Sequence, residues 1–208
     1  MIKIFLNGGP VMWPLLICSI VTVATVLERF FFIIRERVRR KPQAVDEILK
    51  RVEHHDLDGA IKAGQGSHDF VARVLTFALA HRAESFSNAV LRAANLELKK
   101  FNRGLAVLDT IVTLAPLLGL LGTVTGMIHA FGLLGAQHLD APEAITGGIA
   151  QALIATAFGL GIAITALVPF NYLNARLEEA RHDIEDAATQ LELHLEQCKE
   201  CKQEGASK

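Results

Sequence analysis

The chain has 208 residues, 51% of them hydrophobic, with a formal net charge of −1 and three cysteines. Near-neutral charge makes no case for nucleic-acid binding, and three cysteines do not build a disulfide framework. Asp, Glu, Lys and Arg are absent from Val11–Leu27, Thr110–Leu139 and Ala144–Ala175, so a soluble bundle or coiled-coil adaptor is set aside.

Each uncharged run reaches or approaches the ~20 residues that cross ~30 Å of hydrocarbon. The expected fold is an all-α membrane protein with three transmembrane helices and helical extensions. "LNGGPVMWP" (6–14) is a turn-like entry closing an N-terminal segment at 1–10, and the first span covers 11–34. That span is not a signal peptide: only Lys3 precedes it, the dense positive charge follows it, and no small-residue cleavage site succeeds the apolar stretch. Glu28 and Arg29 near its inner end read as a snorkelling pair.

"RERVRRK" (35–41) places five Lys/Arg directly after the first span, whereas "QHLDAPEA" between the second and third has none. The positive-inside rule then puts the N-terminus outside and residues 35–104 in the cytoplasm. By the same rule the turn at 137–143 lies outside and the tail at 173–208 inside. Within 35–104, Pro42 opens a short helix through "AVDEILKRVEHH". "DLDGAIKAGQGSH" reads as a further helical turn and a Gly-rich break. From Asp69, the residues Val71, Val74, Leu75, Ala78 and Leu79 keep the spacing of an amphipathic helix, and "SNAVLRAANLELKKF" repeats it up to Gly104. His54, His55, Asp56 and Asp58 form a charged corner to which no role is assigned.

The second span, 105–136, carries Ala115, Gly119, Gly122, Thr123, Gly126 and Ala130 on one side at about 100° per residue. The third, 144–172, has its own small face from Ala152, Ala155, Thr156, Gly159 and Ala163. Small faces let helices approach closely, so these two spans should pack as a tight hairpin. Pro116 should bend or loosen the second span. The charged stretch after the third span reads as its direct continuation, the two making one helix of roughly 80 Å at 1.5 Å per residue. Near its end His194, Cys198 and Cys201 share a face, a weak metal half-site at most, and no metal or cofactor is assigned.

Thr110, Thr113, Thr123, Thr125, His129, Gln151, Thr156 and Thr165 exceed the polarity an inert anchor needs. Such a set lines a hydrated or partner-filled path. No acid lies at mid-depth in either span, so this chain lacks a mid-membrane proton carrier of its own. No nucleophile–base pair or phosphate loop is visible, and the chain is not read as an enzyme.

"TLAPLLGLLGTVTGMIHAF" (113–131) and "ITGGIAQALIATAFGLGIAITALVPFNYL" (145–173) resemble the paired signatures of the MotA/TolQ/ExbB proton-channel family, closest to the ExbB and TolQ branch. "GGPVMWPLL" and "LERFF" fit the same pattern. The resemblance implies a homopentamer in a bacterial inner membrane around a pore. That pore encloses the single spans of an ExbD- or TolR-like partner, whose aspartate carries protons; a TonB- or TolA-like protein is the further partner. Thr123 and Thr156 match the family's pore-lining threonines, while Gly119, Gly122, Gly126, Ala155 and Gly159 pack the helices. Gln151 departs from the pattern, in which "GIAEAL" has glutamate. An amide cannot carry a proton at any working pH, so a non-conducting scaffold for the partner is the competing expectation.

Overall fold

The computed structural model describes Phe5 and residues 8–134 and 142–206, with side chains for all of these except 83–84, 133–134, 142–145 and 198–206. The expected outer turn at 137–143 falls mostly outside the described residues, as does much of the N-terminal segment. Among the described residues the helices follow in the order α1 (Met12–Arg39), α2 (Pro42–Glu53), α3 (Leu57–Gln65), α4 (Phe70–Ala80), α5 (Arg82–Asn102), α6 (Leu105–Leu134) and α7 (Pro142–Ala206). They form two compact units, one of residues 1–30 and 104–173, the other of 31–103 and 174–208.

The first unit contains the membrane-length segments. Helices α1, α6 and α7 are each long and apolar enough to cross a bilayer. Their large apolar side chains face outward: Leu117, Ile128, Leu153, Ile164 and Val168 are exposed, whereas the buried positions are mainly small, such as Ala115, Ala130, Ala155 and Ala166. That inversion suits lipid, which solvates Leu and Ile but offers no hydrophobic drive to bury them. Pro14 sits in the first turn of α1, where its missing N–H costs no intrahelical bond. Gly104 links α5 to α6 with φ +82°, and a Cβ there would press on Thr25 and Arg29 at 3.1 and 3.3 Å. Both the left-handed backbone and the close approach require glycine. Arg29 is buried and bonded to Glu28, a more enclosed setting than the snorkelling pair read from sequence.

The second unit is a small helical domain. Ile48, Val52, Val74, Leu75, Leu79, Ile184 and Leu191 form its core. Asp69 sets the start of α4: its Oδ1 accepts from the Val71 and Ala72 backbone N–H groups at 2.8 and 3.3 Å. A fully buried carboxylate needs more than two donors, and Arg40 Nη1 reaches both of its oxygens at 2.8 and 3.0 Å. The Lys41 N–H adds another at 2.8 Å. Arg40 also reaches Asp183 at 2.6 Å and lies 4.6 Å above the Phe70 ring. Three stretches far apart in sequence are joined by that one guanidinium.

Candidate functional site: the glycine-packed hairpin of α6 and α7

Within the first unit, α6 and α7 meet along the small faces. A Cβ on Gly159 would lie 2.6 Å from the Ala115 carbonyl oxygen and 3.0 Å from the Gly119 Cα. One on Gly119 would lie 3.1 Å from the Thr156 Cα. Gly122 faces the Ala155 methyl, and Gly126 faces Ala152 at 3.0 Å and the Gly148 carbonyl at 3.1 Å. Backbone therefore touches backbone over about three turns. Gly148 against Ala130 extends the seam by one step; the periodicity contains both positions, but the pairing needs both helices in place.

A side-chain hydrogen bond crosses this seam. Thr156 Oγ1 donates to the Gly119 carbonyl at 2.9 Å. The hydroxyls of Thr110, Thr113, Thr123, Thr125 and Thr165 turn back onto their own helices. Thr123 donates to Leu120 O at 2.7 Å, Thr125 to Leu121 O at 2.9 Å, Thr110 to Ala106 O at 2.8 Å and Thr165 to Gly161 O at 2.7 Å. Thr113 donates to Thr110 O at 2.9 Å. Self-bonding of this kind makes a hydroxyl inexpensive in hydrocarbon. It also fixes the chemistry: with their protons committed, these oxygens offer lone pairs and act as acceptors.

Thr123 is half-buried beside the seam and shares an open apolar groove with Val124, Met127, Ile128, Phe131 and Gly132. His129 is exposed. Gln151 is also half-buried, and its amide lies directly against Gly9, where any Cβ would overlap Nε2. Gly9 has φ +75°, so glycine is required there twice over. Neighbouring Gly8 is closed in by Met12 and by Ile154 at 3.3 Å. Gln151 stands out in the sequence as an amide in an apolar run, but nothing in the chain's local pattern links it to Gly9, 142 residues away. The structure brings Thr156, Gly119, Gly122, Gly126, Ala155 and Gly159 to one seam; Thr123 and Gln151 stand at its edges.

The second unit holds a group of charges of its own. Arg73 bonds Glu97 at 2.7 Å and lies 3.9 Å from Glu36, and Lys100 reaches Glu97 at 2.8 Å. Burial pushes Glu97 up, but hydrogen bonds and charge from Arg73 and Lys100 outweigh it and hold the carboxyl below its ordinary range. Burial dominates at Glu36 and leaves its carboxyl raised. Asp56, in the unassigned corner, caps α3 by accepting from the Gly59 N–H at 2.9 Å. Cys198 and Cys201 lie on the helical stretch whose side chains are not described.

Three bilayer-length helices, two of them locked by small residues and lined by hydroxyls, define a multi-pass helical membrane protein. The model of the MotA/TolQ/ExbB proton channel family matches residues 62–186, and the chain belongs to that family. Biopolymer transport protein ExbB-like 1 of Synechocystis is 36% identical over 200 residues, covering 91% of this chain and 76% of the relative. ExbB-like 3 of the same organism is 31% identical over 191 residues, covering 89% and 90%. Biopolymer transport protein ExbB of Xanthomonas campestris is 35% identical over 112 residues, covering 50% and 44%.

Proposed function

We propose that the chain is an ExbB/TolQ-like subunit of a proton-driven motor in a bacterial inner membrane. Five copies surround the single spans of an ExbD/TolR-like partner, with the N-terminus outside and the tail in the cytoplasm. Proton flow drives the partner, and through a TonB/TolA-like component, work at the cell envelope. A proton descending about 100 mV releases roughly 2.3 kcal/mol per charge.

The observation that carries this reading is the hydrogen-bond direction of the spans. The hydroxyls of Thr110, Thr113, Thr123, Thr125, Thr156 and Thr165 donate to main-chain carbonyls, so at mid-depth these faces present acceptors, the titratable Asp109 and His129 standing toward the two ends of α6. Such a lining can solvate water or a protonated carboxyl, and the titrating group has to come from a partner helix. Thr123 and Thr156 are assigned to that lining. Gln151 is assigned a place beside it, tethering the N-terminal segment.

The amide of Gln151 against Gly9 also favours a second reading, a non-conducting scaffold in which this position only packs. Proton flux into liposomes separates the two. Flux should require the partner and should fall about tenfold or more in a Thr123→Val, Thr156→Val double variant, because lost buried hydrogen bonds cost about 1–3 kcal/mol. Flux absent from the assembled complex, or untouched by the double variant, refutes the lining.

A further inference from the structure

Helix α1 has two unlike faces over its last third. Inward, Glu36 and Arg40 enter the ion pairs with Arg73, Asp69 and Asp183. Outward, Phe31 is 69% exposed and Val38 is 78% exposed, with Ile34 beside them. At 100° per residue, Phe31, Arg35, Val38 and Arg39 share this outward side. Arg35 and Arg39 stand one turn apart, about 5–6 Å between Cβ atoms, a spacing that can hold one phosphate between two guanidinium groups.

Depth follows from the helix rise. From Met12, 30 Å of hydrocarbon uses about 20 residues and ends near Phe31. The eight residues that remain to Arg39 span about 12 Å, the thickness of a headgroup layer. A valine so exposed at that depth is poorly suited to water, and arginines so placed are poorly suited to hydrocarbon. An amphiphile satisfies both.

We propose that this face binds an anionic phospholipid, its phosphate held by Arg35 and Arg39 and its glycerol and acyl carbons lying along Phe31, Ile34 and Val38. Charge complementarity selects this occupant. Neither arginine has a carboxylate within ion-pair distance among the described residues. Glu36 faces Arg73 at 3.9 Å and feels the charge of Arg39 without pairing to it, and Glu28 is bonded to Arg29. The apolar stripe distinguishes a lipid from free phosphate, which would gain nothing from Val38.

The test is native mass measurement of the full chain released from bilayers of equal phosphatidylglycerol and phosphatidylcholine. The wild type should retain phosphatidylglycerol preferentially. Each arginine near an anionic surface is worth about fivefold, so Arg35→Gln, Arg39→Gln together should reduce the preference tenfold or more. Arg37, Arg40 and Lys41 remain to hold the orientation. Arg51→Gln, on α2 and paired with Glu47 at 2.8 Å, should leave it unchanged. Val38→Glu sets a negative charge on the same face with both arginines intact, and should also lower retention if the double variant does not insert. An undiminished preference in either variant overturns the proposal. So does a double variant that keeps its lipid but changes oligomeric mass, which would assign the face to a second copy of the chain.

Discussion

Adding one methyl group at Gly159 tests whether the hairpin is held by direct backbone contact. The new Cβ would meet the Ala115 carbonyl at 2.6 Å, with the Gly119 Cα and N at 3.0 and 3.2 Å. All three are main-chain atoms, so no rotamer change relieves the overlap. Reaching an ordinary separation near 3.4 Å requires α6 and α7 to part by about 0.8 Å at that level, and a gap of this size forfeits a quarter to a half of the local dispersion attraction. The same displacement stretches the Thr156–Gly119 bond from 2.9 Å to about 3.7 Å, outside hydrogen-bonding range. Overpacking costs about 1–3 kcal/mol and a membrane hydrogen bond about 0.6–2 kcal/mol, so a loss of about 2–4 kcal/mol is expected. Gly161→Ala is the internal control: it lies two residues away on the same helix, and its Cβ meets nothing within 4 Å. Both variants share the intrinsic helix gain of alanine over glycine, about 1 kcal/mol, which cancels in the comparison. Unfolding in detergent, followed by the emission of the single tryptophan, Trp13, should separate them by several degrees. Equal stability of the two variants would refute the close-contact account.

Gly9→Ala should destabilise the protein by about 1–3 kcal/mol, because it strains a positive φ and overlaps Gln151. Combining it with Gln151→Ala should recover the steric part and leave the backbone part, as a double-mutant cycle on thermal unfolding would read. Asp69→Ala removes the α4 cap and leaves Arg40 without its buried partner, a cost of about 3 kcal/mol or more. Asp183→Asn touches the same arginine from a half-buried position and should cost less, about 1 kcal/mol, in the same denaturation assay. For Glu97, the folded carboxyl lies below its ordinary 4.5, so its contribution is complete above that value and is lost as pH falls through the folded pKa. For Glu36, raised above 4.5, the contribution is present at lower pH and is lost as pH rises through the folded value. Glu97→Gln should therefore flatten the stability profile below 4.5, and Glu36→Gln should flatten it just above, measured by denaturation across pH.

The spans were legible because charge is excluded from hydrocarbon regardless of fold, which leaves an uncharged run that no local propensity can imitate. The hairpin seam was legible for a related reason: Gly119, Gly122 and Gly126 repeat at the helical period, and that period decides which atoms face one way. Periodicity did not reveal that Gly161 would stand in open space while Gly159 touches backbone, since that distinction depends on the neighbouring helix. Asp69 was recognisable as the start of a helix from the apolar spacing after it. Its pairing with Arg40, and that of Arg40 with Asp183, spans up to 143 residues and leaves no trace in either segment alone. The stretch after His55 read as little more than a helical turn, yet α3 runs nine residues from Leu57. Asp56 accounts for the difference by satisfying an N-terminal N–H that the glycine-rich composition alone would leave open. The direction of the threonine hydroxyls was likewise beyond the sequence, because Thr123 and Thr165 turn to a carbonyl one turn back whereas Thr156 reaches the neighbouring helix.

The seam between α6 and α7 has a mechanical consequence. Side chains elsewhere in a protein can swing to absorb a push, but at Gly159, Gly119 and Gly126 there are none to swing. A load applied to one of these helices passes to the other through incompressible main-chain contact, and the pair responds as a single stiff beam. Compliance is left to the places where the helical ladder is interrupted, Pro116 in α6 and Pro169 in α7, each lacking the N–H that would close a bond to the preceding turn. Force reaching this hairpin is thus stored as bending at two prolines, with little lost to sliding between the helices.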